Sequence, residues 1–192
     1  MTPGNGSNGA RAGNGRPLRT FVAYVEDQPG VLNRVASLFR RRGYNIASLN
    51  VGRTHEPGIS RLTMVVEADE TTARLLEANL YKLVNVISVE DLTHHATVVR
   101  DLALVKVRTV AEDRAEALQI AEQFRARVID VGDETMVFEM TGTQEMIVDF
   151  LAHLRRFGIV EMVQTGAIAM ARGGEGSASA TAHRPSLLPP PP

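Results

Sequence analysis

The chain has 192 residues, a formal net charge of −1, and neither Cys nor Trp. Without Cys it forms no disulfide and carries no thiolate nucleophile, which fits a reducing compartment, and we expect a cytoplasmic protein. The near-zero charge argues against nucleic acid as the main partner. No run approaches the roughly 20 apolar residues of a membrane span, and the N-terminus lacks the charged-then-apolar pattern of a secretion signal.

Two terminal segments have compositions that do not build a core. Residues 1–17 are rich in Gly, Asn and Ser, and residues 173–192 run through Gly, Ser and Ala into a closing Pro tract. Neither segment buries enough apolar surface to offset the entropy of ordering it. We therefore predict two disordered tails around an ordered part of residues 18–172.

The first half of the ordered part alternates between strand and helix patterns. Residues 21–25 form a strand, and an amphipathic helix follows, with Gly43 as its stop. The rest of this half is predicted as strands at residues 46–53 and 60–67, a helix at 69–83 and a strand at 86–94.

The second half repeats this order. It is predicted as a strand at residues 102–107, a helix at 113–125, strands at 126–131 and 135–140, a helix at 143–157 and a strand at 159–170. Each half thus has the β-α-β-β-α-β order of the ferredoxin-like arrangement, with both helices on one face of a four-stranded antiparallel sheet. The predicted fold class is α+β, with two tandem ferredoxin-like βαββαβ domains joined near residues 97–101.

The Pro-Gly turn after the first strand has the chemistry to hold a free amino acid. Pro29 fixes its own φ, and Gly30 leaves no side chain above the start of the helix. The N–H groups of Val31 and Leu32 then point out of the helix N-terminus toward a small carboxylate, while Asp27 offers an acceptor for an ammonium. The turn also fits a purely structural role, with Asp27 as a capping residue and Gly30 as a bend, because many Pro-Gly turns look alike.

Asn45, just after the first helix, also has two interpretations. It is either a turn residue that tolerates unusual φ or an amide that binds a ligand. A helix of about a dozen residues spans roughly 18 Å, so one small ligand does not touch both Gly30 and Asn45 of the same chain. If both residues bind it, a second chain must supply one of them, with its helix antiparallel across a two-fold axis. The ligand hypothesis therefore predicts a homodimer.

A longer signature surrounds this turn. It comprises Asp27-Gln28-Pro29-Gly30-Val31-Leu32-Asn33-Arg34-Val35, Phe39, Arg42-Gly43-Tyr44-Asn45-Ile46-Ala47-Ser48-Leu49, Ser60-Arg61-Leu62-Thr63 and Lys82-Leu83-Val84-Asn85-Val86. With these segments, the chain from about Arg19 to Arg172 resembles the small regulatory subunits of acetolactate synthase, also called acetohydroxyacid synthase. The Pro-Gly turn alone would indicate only an ACT domain, a common amino-acid sensor.

The resemblance implies an ACT regulatory domain at residues 18–96 and a C-terminal ferredoxin-like domain at residues 97–172. It implies a chain without catalytic residues, metal or cofactor of its own. Such a chain activates a large catalytic subunit and confers feedback inhibition by valine, or in some members by leucine or isoleucine. The large subunit is expected to bind thiamine diphosphate, Mg²⁺ and FAD, and to condense pyruvate with a second 2-keto acid.

The resemblance also implies a site for the amino-acid effector. The effector would contact Asp27, Gly30, Val31 and Leu32 of one chain and Asn45 and Ile46 of its neighbour. Many family members have Asn where this chain has Asp27. An Asp accepts from an ammonium more strongly but adds a charge, so the preferred branched-chain amino acid stays open.

Three rival classes share parts of this pattern. An RNA-binding module of the same topology needs aromatic residues on its central strands, whereas Phe21 and Tyr24 have opposite parity on the first strand. A stand-alone enzyme such as an acyl phosphatase needs an Arg cradle in the first turn, which contains no Arg. A transcriptional regulator built from two ACT domains would carry a helix-turn-helix, for which the tails leave no room.

Three further groups of residues have plainer interpretations. His94 and His95 are predicted on a strand, where adjacent side chains point to opposite faces and do not chelate one ion together, so we predict no metal site. The Arg run at residues 40–42 is predicted as a solvated helix end, with docking to a partner as the alternative. Arg61 is predicted on the sheet face opposite the helices, an exposed surface for the large subunit.

Overall fold

A computed structural model describes residues 16–173 of the chain. The tails predicted at residues 1–17 and 173–192 lie outside this range, apart from Arg16, Pro17 and Gly173. Pro17, which was predicted to belong to the N-terminal tail, is tied to the first unit, because its carbonyl accepts from the N–H of Ala68 at 3.1 Å.

The structure confirms the α+β class and the two ferredoxin-like units. The first unit consists of β1 (Leu18–Glu26), α1 (Val31–Arg42), β2 (Ile46–Arg53), β3 (Ile59–Glu67), α2 (Glu70–Leu80) and β4 (Val86–Asp91). The second consists of β5 (Thr97–Arg108), α3 (Arg114–Phe124), β6 (Arg127–Val131), β7 (Thr135–Gly142), α4 (Gln144–Leu154), a 3-10 turn (Arg155–Phe157) and β8 (Ile159–Gln164), and β9 (Ile168–Ala171) follows it.

Each unit has an antiparallel sheet with its first strand near the middle. The strand order is β2-β3-β1-β4 in the first unit and β6-β7-β5-β8 in the second, where β9 also pairs with β5. In the first sheet Phe21 lies opposite Met64, and in the second Val105 lies opposite Phe138. All four residues are fully buried, because one face of each sheet packs against its own pair of helices.

Helix α1 begins and ends at left-handed glycines. Gly30 precedes it with φ 85°, and Gly43 follows it with φ 67°. At the C-terminal end the N–H of Gly43 donates to the Arg40 carbonyl and that of Tyr44 to the Phe39 carbonyl, which closes the last turn. The buried face of α1 carries the apolar residues expected from the helical period, namely Val31, Val35, Leu38 and Phe39.

Several predicted boundaries differ from the structure. The helix predicted to reach residue 83 ends at Leu80, and the N–H of Leu83 turns back to the Leu80 carbonyl at 3.0 Å. The final strand predicted over residues 159–170 is two strands, because Gly166 breaks it with φ 83°. Strand β5 begins at Thr97 rather than at residue 102, since β9 pairs with it.

The two compact units join at Val98 and Val99, inside the segment predicted as the join. The C-terminal domain was predicted over residues 97–172, whereas the second compact unit covers Val99–Ile168. The chain after it, up to residue 173, belongs to the first unit. The N–H of Arg172 donates to the carbonyl of Ala96 at 2.7 Å, which ties this segment to the end of the first unit. No helix among residues 16–173 is long and apolar enough to cross a membrane.

Asp101 is a buried carboxylate in the second unit. Its side chain accepts from Gln164 Nε2 at 2.5 Å, and the same nitrogen donates to Gln144 Oε1 at 2.7 Å. Asp101 is 4% exposed, and burial raises its pKa although the bond from Gln164 acts in the opposite direction. Since the folded pKa lies above the unfolded one, this group's contribution to stability is complete below the unfolded pKa and is lost as pH rises through the folded pKa.

We expect Asp101→Asn to remove this pH dependence and to be more stable than the wild type at neutral pH. The amide has no ionisable group, and its carbonyl still accepts from Gln164. The measurement is the urea midpoint at acidic and neutral pH, with Asp130→Asn, an exposed Asp of the same unit, as the control. An Asp101→Asn protein with the wild-type pH slope would contradict the assignment.

Candidate functional site

The turn at the start of α1 presents backbone donors that have no partner among residues 16–173. Gly30 caps the helix without a side-chain hydrogen bond, and the first turn contains no acidic residue. The N–H of Val31 makes only a long contact of 3.4 Å to the Gln28 carbonyl. Across residues 16–173, the N–H groups of Leu32 and Asn33 meet no acceptor. These donors and the positive end of the helix dipole form a place for a carboxylate.

The space above this turn is open. A Cβ added to Gly30 would meet no atom within 4 Å, so a small ligand can approach the backbone closely. Val31 is buried in the core and contributes only its backbone, whereas the Leu32 side chain is 46% exposed beside the turn. The turn therefore combines a polar backbone with one accessible apolar side chain.

Asp27 lies at the other side of this turn. Its N–H donates to the Gly58 carbonyl at 2.8 Å, which holds the turn against the β2–β3 hairpin. Its carboxylate is 38% exposed, and Oδ2 lies 3.2 Å from Nε of Arg53. The predicted acceptor for an ammonium is therefore accessible, and it is already paired with a guanidinium.

A second set of polar contacts holds the end of β1 in place. The Asn85 amide donates to Glu26 Oε2 at 2.7 Å, and its carbonyl oxygen accepts from the Arg34 guanidinium. The backbone N–H of Glu26 donates to the Asn85 carbonyl at 2.9 Å. Asn85 is 8% exposed, so this network is a partly buried support beneath the turn. It joins the turn to α1 and to the loop before β4.

Asn45 and Ile46 lie beyond the opposite end of α1. The Asn45 side chain is exposed, and its amide donates to Glu67 Oε1 at 2.6 Å. Its carbonyl accepts from the Glu67 backbone at 3.2 Å, while Ile46 lies opposite Val66 and packs against the core. A local contact thus orients the Asn45 amide at the start of β2.

The six predicted effector residues form two groups that one chain does not bring together. Asp27, Gly30, Val31 and Leu32 lie at the N-terminal end of α1, and Asn45 and Ile46 follow its C-terminal end. The helix has twelve residues, hence a length of about 18 Å. A single site that includes both groups requires two copies of the chain.

The sequence interpretation missed Arg53, Arg34 and Asn85 as side chains that make contacts beside the turn. Of these residues, only Arg53 could have been placed near the turn in advance, from the topology of the strands. Strands β1 and β2 both pair antiparallel with β3 and hence run parallel to each other. Arg53 at the carboxyl end of β2 therefore lies at the same end of the sheet as Asp27, which follows β1.

Other predicted groups are placed differently by the structure. His94 and His95 were predicted on a strand, but β4 ends at Asp91 and both lie in a turn closed by the bond from the His95 N–H to the Leu92 carbonyl. Within residues 16–173, no group of three potential ligands could hold a metal ion. Arg42 is not simply solvated, because Nη2 lies 3.3 Å from Asn79 Oδ1.

The sheet face opposite the helices was predicted to be an exposed surface, and this is wrong near its centre. Val22 and Thr63 on that face are 0% and 2% exposed. Arg61 is half-buried with its guanidinium over the Tyr24 ring, 5.7 Å from the centroid, and it donates to the Ala169 carbonyl. Arg61 is thus engaged within its own unit rather than presented to a partner.

Two family models match the two halves of the chain. "AHAS small subunit-like ACT domain" matches residues 21–88, and "Small subunit of acetolactate synthase" matches residues 100–173. The acetolactate synthase small subunit of Mycolicibacterium smegmatis is 42% identical over 87% of this chain and 98% of its own length. The probable acetolactate synthase small subunit of Methanothermobacter thermautotrophicus is 45% identical over 79% of this chain and 90% of its own.

A solved structure agrees with these relatives. The crystal structure of the acetolactate synthase small subunit from Thermotoga maritima is similar with a TM-score of 0.76 and 38% identity. The similarity covers 81% of this chain and 98% of that one.

Proposed function

Because the chain belongs to the family of acetolactate synthase small subunits, we propose that it binds and activates the large catalytic subunit and confers feedback inhibition by valine. In this proposal the catalytic residues and the thiamine diphosphate, Mg²⁺ and FAD belong to the large subunit. This chain supplies the amino-acid sensor, and its effect on branched-chain amino acid synthesis is allosteric.

The observation that carries the proposal is that the start of α1 presents both an acceptor for a cation and donors for an anion. A free amino acid has an ammonium and a carboxylate on the same carbon. The turn offers the Asp27 carboxylate to the ammonium, and the N–H groups of Leu32 and Asn33 to the carboxylate of the ligand. Leu32, which is 46% exposed, supplies apolar surface for a branched side chain. A branched-chain amino acid matches all three features.

The site is completed in a homodimer. The two edges of the first sheet differ, which favours one of them for pairing between chains. On β4 the Tyr81 hydroxyl accepts from the Val89 N–H at 3.1 Å and donates to the Val89 carbonyl at 3.0 Å, so this edge is closed by a side chain. Strand β2 is the opposite edge, and Val51 on it is 45% exposed. Pairing through β2 about a two-fold axis would bring Asn45 of one chain toward Gly30 of the other.

Inhibition then follows from linkage. A bound amino acid changes the activity of the complex only if it binds two states of the complex with different affinity. An effector held by both chains stabilises one arrangement of the two first units. We propose that this arrangement is the less active one for the large subunit.

Reconstitution with the large subunit tests the proposal. We expect faster acetolactate formation when the small subunit is added, and a loss of that gain when valine is present. Failure to co-purify with the large subunit, or activation that valine does not reverse, would count against it. Leucine and isoleucine in parallel assays identify the preferred effector.

We expect Asn45→Ala to weaken valine binding while activation by the small subunit is retained. Loss of one hydrogen bond to a charged ligand corresponds to about tenfold in affinity. Calorimetry with valine measures the affinity, and acetolactate formation measures the activation. Gln123→Ala, which removes an exposed amide side chain from α3 in the second unit, is the control. Equal affinity of wild type and Asn45→Ala would assign Asn45 to the turn alone.

A further inference from the structure

We propose that Arg53 competes with the ammonium of the bound amino acid for Asp27 and thereby lowers the affinity of the site for its ligand. This inference rests on the proposed function, because it concerns the same site. It assigns a role to a residue that lies outside the turn and outside α1.

The ion pair itself is the first observation. Nε of Arg53 lies 3.2 Å from Asp27 Oδ2, in the position where a ligand cation would be expected. The other nearby guanidinium, that of Arg34, is engaged by the side chain of Asn85. Within residues 16–173, Arg53 is the one cation that forms an ion pair with Asp27.

The backbone holds the two residues at this separation. Thr54, next to Arg53, organises the hairpin: its hydroxyl lies 3.1 Å from the carbonyls of Glu56 and Ile59, and its N–H donates to the Ile59 carbonyl at 3.0 Å. The Gly58 carbonyl of the same hairpin accepts from the N–H of Asp27 at 2.8 Å. Main-chain hydrogen bonds thus join the hairpin to the turn. Because both segments are already held in place, no loop has to become ordered for the Arg53 side chain to reach Asp27.

The Arg53 side chain is also free to leave. It is 86% exposed, so its guanidinium exchanges Asp27 for water at little cost. An arriving ammonium takes over the carboxylate, and Arg53 returns when the ligand departs. Any other cation must displace Arg53 from Asp27. The free energy that it gains by binding Asp27 is therefore smaller by the free energy of one exposed ion pair.

This competition weakens the binding of a simple amine and of an amino acid by the same amount. A simple amine gains Asp27 but forfeits the Arg53 pair, which is a near-even exchange. An amino acid gains in addition the N–H groups of Leu32 and Asn33 at the start of α1. With Arg53 paired to Asp27, net binding therefore depends on the carboxylate of the ligand as well as on its ammonium.

The test is a calorimetric titration of the full-length chain with L-valine. We expect Arg53→Gln to bind valine about two- to fivefold more tightly than wild type, the size of an exposed ion pair. In an Asp27→Asn background the same substitution should have no effect, because no carboxylate remains to compete for. Arg127→Gln is the matched control, since the exposed Arg127 lies on β6, the counterpart of β2 in the second unit, and forms an ion pair with Glu139 on β7.

The outcomes separate this inference from the function on which it rests. Equal or weaker binding by Arg53→Gln would overturn the role of Arg53 while leaving the amino-acid site in place. An increase in valine affinity of the same size in the Asp27→Asn background, or in Arg127→Gln, would assign the effect to net charge. That result would also overturn the role of Arg53. Absence of binding by every variant would overturn the proposed function itself.

Discussion

Replacing Gly30 with Asp is expected to abolish inhibition by valine while leaving activation by the small subunit in place. The new carboxylate would lie over the N–H groups of Leu32 and Asn33, where the carboxylate of the effector is proposed to bind. Asp is a favourable residue at the start of a helix, so the side chain would hold these donors permanently. We expect valine affinity to fall by about tenfold or more.

The backbone conformation of Gly30 makes a control for backbone strain necessary. Gly30 has φ 85°, and an Asp in this left-handed conformation costs about 1–2 kcal/mol, although its Cβ meets no atom within 4 Å. Gly158 in the second unit also has φ 85° and open space at its Cβ. Gly158 has ψ 102°, outside the left-handed helical region, so Gly158→Asp introduces backbone strain of its own without occupying the turn and should keep valine inhibition.

The assay is acetolactate formation by the reconstituted complex over a range of valine concentrations. Inhibition by valine that is unchanged in Gly30→Asp would remove the turn from the site. Loss of inhibition in both variants would assign the effect to backbone strain.

The second large effect is expected for Phe150→Ala in the core of the second unit. Phe150 is fully buried, with its ring centroid 5.4 Å from that of Phe124 and 6.2 Å from that of Phe138. Truncation to Ala leaves a cavity between α4, α3 and β7, and such changes cost about 3–5 kcal/mol. We expect the free energy of unfolding to fall by this amount.

Urea unfolding followed by circular dichroism measures the change. Val148→Ala on the same helix is the control, because Val148 is 55% exposed and its truncation should alter stability by about 0.5 kcal/mol or less. The folded fraction of Phe150→Ala should still bind valine, since all six predicted effector residues lie in the first unit. A loss of stability below about 1 kcal/mol would contradict the placement of Phe150 at the centre of this core.

The local pattern of the sequence predicts much of the fold because helices and strands have different periods. The spacing of Val31, Val35, Leu38 and Phe39 predicts α1, and these are its buried residues in the structure. The prediction of a strand over residues 46–53 agrees with β2 at both ends. Where the prediction failed, a tertiary contact overrode the local pattern, as at β5, which is extended by its pairing with β9.

Some features of the candidate site likewise follow from the local sequence, whereas others depend on tertiary contacts. The turn with its free donors follows from Pro29 and Gly30, since Pro fixes φ and Gly permits the left-handed conformation at the helix start. The length of α1 follows from its apolar period and from Gly43, so the separation of Gly30 from Asn45 is also contained in the sequence. The family follows from a signature spread over these same segments.

The tertiary structure alone decided which side chains surround the turn. Asn85 meets Glu26 and Arg34 across 59 and 51 residues of sequence, and Arg53 meets Asp27 from the end of another strand. Such contacts depend on strand order and register, which no local period specifies. The sequence by itself therefore determined the backbone donors and the spacing of the two groups of predicted effector residues, which are local. Only the fold decided that the Asp27 carboxylate is paired with Arg53, because that contact joins residues separated along the chain.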